Sequence, residues 1–312
     1  MEFFKQNTKI NFMKQRAVAY VFSLVLFIAS LVSLAVNHLE LGLDFTGGMQ
    51  VELLYPDSVD PASVRTILSQ AGYAEASVIR YGSSKDVQVT LSLKHFEGQV
   101  DNTNAQAQML AVFGKLIPEA QVVRVDYVGP QVGKQLAQQG VLAIVISLIA
   151  TMIYIALRFE IRFAVSSAIA LIHDPVLILG IFSFFHIEFG LISLAALLTV
   201  IGYSLNDTVV IFDRVRENFI KLRKILPYDV VNISINQTLS RTIMTSGLTL
   251  IVVVVLYFFG GAMLKGYALA LIIGIVIGTY SSIYVAGSLA LAMGLRKEHL
   301  MPVQKQKAES FP

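Results

Sequence analysis

Apolar runs of about 20 residues recur along the chain, each long enough at 1.5 Å per residue to cross a hydrocarbon core about 30 Å thick. They predict six membrane-spanning helices, at roughly 17–36, 138–157, 163–184, 190–212, 243–259 and 267–293. Between the first two lies a stretch of ordinary soluble composition, 37–137, enough for a small domain. There the pattern changes from runs to alternation. Met49–Tyr55 alternates as a strand, Asp60-Pro61 supplies an N-cap and a first-turn proline for a helix to Gln70, and Gly72 stops that helix. Strands near 76–81 and 87–93 flank the turn residues Gly82-Ser83-Ser84. A helix from Asn102 to Leu116, ended by Pro118, and a last strand Gln121–Val128 complete the order βαββαβ. This is the split-βαβ or ferredoxin-like α+β arrangement, whose helices cover one sheet face and leave the other for a partner. The domain shows no nucleophile–base pair or His/carboxylate cluster, which points to a binding or mechanical module without catalysis.

Composition sharpens the membrane reading: the 312 residues are 55% hydrophobic and 14% charged, against roughly 25% charged in a soluble domain. The basic residues then give an orientation. Lys5, Lys9, Lys14 and Arg16 lie in the tail 1–16, Arg158 and Arg162 between the second and third spans, six more in 213–242 and four in the tail 294–312. The loops 185–189 and 260–266 hold only Lys265, so the positive-inside rule puts both termini in the cytoplasm and the domain in the periplasm. The first run ends in Ala35-Val36-Asn37-His38 without a small-residue cleavage site, and reads as a retained helix. The absence of cysteine removes disulfide and thiolate-metal chemistry. No basic patch interleaved with aromatics suggests nucleic acid, and the phosphate loop, the H-E-x-x-H pair and the G-x-S-x-G elbow are all missing.

Two long motifs sit at matching topological positions. Leu41-Gly42-Leu43-Asp44-Phe45-Thr46-Gly47-Gly48 follows the first span, and Val200 to Asn218, centred on Gly202-Tyr203-Ser204-Leu205-Asn206-Asp207, closes the fourth. With Ser240-Arg241-Thr242-Ile243-Met244-Thr245-Ser246 opening the fifth span, the chain resembles the SecD/SecF family of protein-export membrane proteins over nearly its whole length. Gly247-Leu248-Thr249 departs from the more Thr-rich run expected there. The resemblance implies the RND superfamily, a SecD partner with six further helices, and association with the SecYEG translocon, YajC and YidC. It also implies export assistance in which protons are the coupling ion, no other cofactor is used, and the periplasmic domain handles unfolded preprotein.

Read physically, Asp207 and Asp174 are the most informative acids, because a carboxylate in hydrocarbon costs about 2.5–3.5 kcal/mol on insertion scales. Asp207 lies about 9 Å from the middle of the fourth span, with Ser204 and Tyr203 one turn back. Arg241 opens the next span at a compatible depth, on a face continued by Thr245 and Thr249. A relay needs an acid whose proton affinity moves, and a varying Asp207–Arg241 distance supplies that; a static buried pair is the alternative. Asp174 sits in His173-Asp174-Pro175, where the proline kinks the helix and the acid serves either local structure or the relay. Asn206 orients the neighbouring acid or bonds across helices. Gly266, Ala270, Gly274, Gly278 and Ser282 recur every four residues, a row of small side chains for close packing within the chain or against SecD. The basic, apolar-studded stretch 213–242 reads as an amphipathic helix on anionic lipid at the cytoplasmic interface. Gly47-Gly48 after Asp44 is either a hinge between membrane and domain or a simple turn. A scaffold without proton use and a small-molecule exporter are the competing functions.

Overall fold

The computed structural model describes residues 8–91, 102–222 and 224–295, so the start of the N-terminal tail, 92–101, Arg223 and the C-terminal tail beyond Leu295 lie outside the described residues. A short 3-10 turn, Met13–Gln15, leads into α1 (Arg16–Val36). After it come the one-turn helix α2 (Leu43–Thr46), β1 (Gly48–Leu54), α3 (Pro61–Gln70), β2 (Ser77–Arg80), β3 (Asp86–Leu91), α4 (Asn102–Leu116) and β4 (Gln121–Val128). The rest is helical: α5 (Pro130–Arg158), α6 (Ile161–Phe184), α7 (Leu191–Lys221), α8 (Pro227–Phe259) and α9 (Gly261–Ser281), which runs through a π-helical turn, Ser282–Ala286, into α10 (Gly287–Ala292). Among the described residues, six helices are long and apolar enough to cross a membrane, with α9 and α10 counting as one.

Local chemistry explains the breaks. Asp60 caps α3 by accepting from Ala62 N–H at 3.1 Å, and Pro61, Pro130 and Pro227 each begin a helix, where their missing N–H has no partner to lose. Glu160 caps α6 by accepting from Arg162 N–H at 2.9 Å. The helix α6 then continues unbroken through Pro175.

In the α/β domain the strand order is β2-β3-β1-β4, antiparallel throughout, with Val51 paired to Val89 on one side and Val125 on the other. Met49, Val51, Leu53, Val87, Val89 and Leu91 point to the face covered by Val64 and Leu68 of α3 and Met109 and Phe113 of α4. The opposite face is not wholly open, as the sequence suggested. Gln88, on that face, is 1% exposed and reaches the α6–α7 loop.

In the bundle, α6, α7 and the α9–α10 helix bury half or more of their apolar stretch in protein, whereas α1, α5 and α8 bury under a quarter and line the outside. The stretch 213–242 is not a separate interfacial helix. No helix breaker follows Phe212, so α7 runs on to Lys221; Pro227 starts α8, and the two form an extended hairpin. Val215, Phe219, Val230, Val231 and Ile235 bury its apolar side with Phe12 and Met13.

Candidate functional site

Asp174 lies at the centre of the bundle, 1% exposed. Its Oδ2 accepts hydrogen bonds from Ser204 Oγ of α7 at 2.5 Å and Ser281 Oγ of α9 at 2.7 Å. Its Oδ1 is 2.9 Å from His173 Nδ1, and His173 Nε2 is 2.6 Å from Ser23 Oγ of α1. All five side chains are buried, and the Phe27 ring stacks on the imidazole with 6.0 Å between centroids. Four helices therefore meet on one hydrogen-bonded chain. His173 stands on it because Ser23/His173, Ser30/Gly180 and Ser33/Ser183 oppose one another at a constant sequence offset of 150, the mark of two parallel helices in register.

Asp207, 4% exposed, sits between α7, α8 and α9. Ser246 Oγ of α8 donates to its Oδ2 at 3.3 Å, Tyr203 donates to Ser246 Oγ at 3.2 Å, and Thr279 Oγ1 lies 3.0 Å from Ser246. Arg241 is exposed and forms no ion pair with Asp207 among the described residues, although its charge still lies within electrostatic reach of that carboxyl. The reason is helical phase. Five residues separate Arg241 from Ser246, a rotation of about 140° beyond a full turn, so the buried stripe of α8 is Ser234, Thr238, Thr242 and Ser246. The Arg241–Thr245 face points outward, and Thr245 and Thr249 hydroxyls donate to carbonyls one turn back on their own helix. Asn206 is likewise exposed and makes no hydrogen bond among the described residues. It ends an outward stripe of small or polar residues on α7, with Ala195, Thr199 and Gly202.

The domain is joined to the bundle at one junction. Gly190, the N-cap of α7, has no side chain, and Asp44 of α2 supplies the cap instead: Oδ2 accepts from Leu191 N–H at 2.8 Å. Leu41 and Phe189 form an isolated parallel bridge beside it. Gly47 and Gly48 adopt φ of +67° and +140°, and a Cβ on them would stand 3.0 Å from Pro130 Cα and 2.6 Å from Leu91 O. Both glycines are thus accounted for by a tight, packed turn. Glu188 accepts from Gln88 Nε2 at 3.4 Å and from the Leu43 amide. Burial pushes its carboxyl above the ordinary value, Asp44 and Glu40 add repulsion, and the two donors oppose the shift. Part of Glu188 still meets solvent, which tempers the effect and lets protons reach it.

The row on α9 is used inside the chain. A Cβ on Gly266, Gly274 or Gly278 would stand 2.9 Å from Ser193 Oγ, 2.2 Å from Val200 Cγ2 and 3.1 Å from Ser204 Cβ, all on α7; Ala270 and Ser282 are fully buried. Among the described residues no group of three or more His, Asp or Glu is arranged to hold a metal ion. Ser23, Ser281 and Glu188 escaped the sequence reading, and Ser246 entered it only as the end of a motif. The serine spacing on α1, repeated by His173, Gly180 and Ser183 on α6, is the signal that would have found the first.

Residues 108–296 match the family described as protein export membrane protein SecD/SecF, C-terminal, and residues 32–55 match the SecD/SecF GG motif. The chain belongs to the SecD/SecF family. It is 46% identical to the protein translocase subunit SecF of Vibrio alginolyticus, over 97% of this chain and 96% of that one. It is 42% identical to that of Escherichia coli O157:H7, over 95% and 92% respectively. Its fold is similar to the crystal structure of SecDF from Thermus thermophilus, described as a translocon-associated membrane protein, with TM-score 0.84 and 34% identity. There it covers 93% of this chain but 39% of the longer one. The family's GG motif contains Asp44, Gly47 and Gly48, and its C-terminal region contains both buried acids.

Proposed function

We propose that this chain is an accessory subunit of a bacterial Sec protein translocase in the inner membrane, and that with SecD it uses the proton gradient to promote late steps of preprotein export. The observation that carries the proton reading is Asp207: a carboxyl 4% exposed, held by one serine hydroxyl across a helix interface and beside an outward polar face. An acid so lightly held exchanges a proton without dismantling the bundle, and each charge moved across 100 mV supplies about 2.3 kcal/mol. Arg241, Asn206 and Thr245 face outward at membrane depth, where hydrocarbon leaves polar groups without partners. A second helical half of the SecD kind satisfies them, and supports placing the partner on the α7–α8 side. Association with SecYEG, YajC and YidC is part of the same proposal.

The excess of Lys and Arg in 1–16, 158–162 and 213–242 supports cytoplasmic termini and a periplasmic α/β domain. The βαββαβ order with its antiparallel sheet is that of the ferredoxin-like fold, a module for holding emerging polypeptide rather than for hydrolysis. Asp174, fully hydrogen-bonded, serves as a second proton station.

Vesicles carrying the assembled translocase, with and without a proton gradient, test the reading. Asp207→Asn should abolish gradient-dependent stimulation of export while assembly with the partner persists. Undiminished stimulation in that variant removes the proton from the mechanism and leaves a scaffold.

A further inference from the structure

We propose that His173 is a positioning residue for the proton step: it transmits the protonation state of Asp174 to Ser23, and so to α1, the helix that leads into the α/β domain. The inference rests on the proton-coupled reading above.

Proton counting carries it. With Asp174 a carboxylate and His173 neutral, the histidine proton must sit on Nδ1, which donates to Oδ1 over 2.9 Å. Nε2 is then a bare acceptor, and Ser23 O–H donates to it over 2.6 Å. One added proton gives two arrangements. Either His173 becomes an imidazolium beside the carboxylate, or Asp174 carries the proton on Oδ1 and donates to Nδ1. They differ by a shift of one proton along the same contact. In both, Nε2 carries a hydrogen and Ser23 Oγ becomes the acceptor. Protonation at the Asp174 Oδ1–His173 Nδ1 contact therefore reverses the Ser23–His173 hydrogen bond whichever of those two atoms holds the proton. In both arrangements Ser204 and Ser281 donate to Oδ2 and anchor the carboxyl, so His173 is the arm that changes.

The reversal has a route outward. When Ser23 becomes an acceptor its own proton must find another oxygen, and the carbonyl one turn back on α1, Ala19, already accepts from Tyr280 of α9 at 2.7 Å. The α1 register against α6 is held by Ser33 donating to Ser183 at 3.0 Å, and Asn37 donates to Ser33 at 3.3 Å at the end of the helix. From there the chain passes through the Leu41–Phe189 bridge to Asp44, the cap of α7. Other titratable groups on the packed helices point elsewhere. Asp207 turns to Ser246, Tyr203 donates to Ser246, Tyr284 lies against the ring of Tyr280, and Tyr20 on α1 keeps a buried hydroxyl without a partner among the described residues.

Solid-state NMR of the full chain in lipid bilayers, with nitrogen-labelled histidine, reads the step without gradient or preprotein. The chain has five histidines, and the His173 signal is assigned by its loss in His173→Phe. On acidification Nε2 of His173 should pass from bare to protonated, and in Asp174→Asn that passage should be lost. A second arm measures gradient-driven export: Ser23→Ala should lose stimulation while His173 still titrates, and Ser23→Thr, which restores the hydroxyl, should recover it. A His173 that keeps one state throughout, or a passage that survives in Asp174→Asn, overturns the inference, as does full stimulation in Ser23→Ala. Because the spectroscopic arm involves no export, its failure is distinct from failure of the proton-driven reading, which Asp207→Asn decides.

Discussion

Gly180→Ala should separate α1 from α6 and destabilise the chain by an amount the geometry sets. The added Cβ would lie 2.2 Å from Ser30 Cβ, 2.4 Å from its Oγ and 2.6 Å from its Cα. Non-bonded carbons rest about 3.5–4.0 Å apart, so the helices must part by about 1 Å or more. No rotamer change clears a backbone atom. Overpacking of this kind costs about 1–3 kcal/mol. Parting the helices also stretches Ser23–His173 and Ser33–Ser183, now 2.6 and 3.0 Å, and such bonds in membrane proteins are worth about 0.6 kcal/mol on average and up to about 1.7. The sum is about 2–6 kcal/mol. Titration with a denaturing detergent in mixed micelles, followed by circular dichroism, measures it. The double variant Gly180→Ala/Ser30→Gly should recover part of the loss, since the side-chain clashes vanish and only the one with the α1 backbone persists. A Gly180→Ala protein within about 0.5 kcal/mol of the parent would refute the packed, in-register seam.

Two further outcomes concern the junction. Asp44→Ala removes the cap of α7 and should cost about 0.5–2 kcal/mol, whereas Asp44→Asn keeps the acceptor and should lose only the dipole term of about 0.3–1 kcal/mol; hydrogen exchange at the first α7 amides separates them, and equal effects would deny the cap. Burial at the junction makes Glu188 bind its proton more tightly, against the opposing Gln88 donor, so contact between domain and bundle should be firm at low pH and weaken as pH rises through that raised pKa. Spin labels at Ser69→Cys and Met263→Cys, the only thiols in a chain without native cysteine, should report a distance that broadens toward alkaline pH and stays narrow in Glu188→Gln. No pH response in the parent, or an undiminished one in that variant, would remove Glu188 from the junction.

Much of the architecture is legible in the residues because local signals agree with it. The helix Asn102–Leu116 and the strand Gln121–Val128 have the bounds that Pro118 and the alternation imply. The extent of α7 and α8 is not, because charges beyond Phe212 resemble a solvated interface, and only the packing of Phe219 and Val215 against Phe12 shows why the helix runs on. At the site, Asp174 and Asp207 stand out as acids in apolar runs, but their partners are serines, common and cheap in helices, whose importance appears only when four helices converge. Arg241 lies one helical position, about 100°, from the Thr242–Ser246 stripe that faces Asp207, a difference that periodicity cannot resolve without knowing which neighbour α8 meets.

What the arrangement achieves follows from where α7 is held. Asp44 fixes its first turn to the segment that joins α1 to the domain, Ser204 fixes its middle to Asp174, and Asp207 faces Ser246 on α8 one turn further. Close packing against α9 at Gly274 and Gly278 leaves no slack for bending, so α7 responds to a charge change as a rod. In the proposed function, a rod gripped at one end by the base of a domain and biased near its middle by two acids would convert a small displacement at the acids into movement at the domain. Asn206, on the same rod but facing outward, would make the proposed partner half sensitive to the same displacement. Coupling then needs no contact between the acids themselves, which lie on separate side-chain hydrogen-bond networks and share the helices α7 and α9.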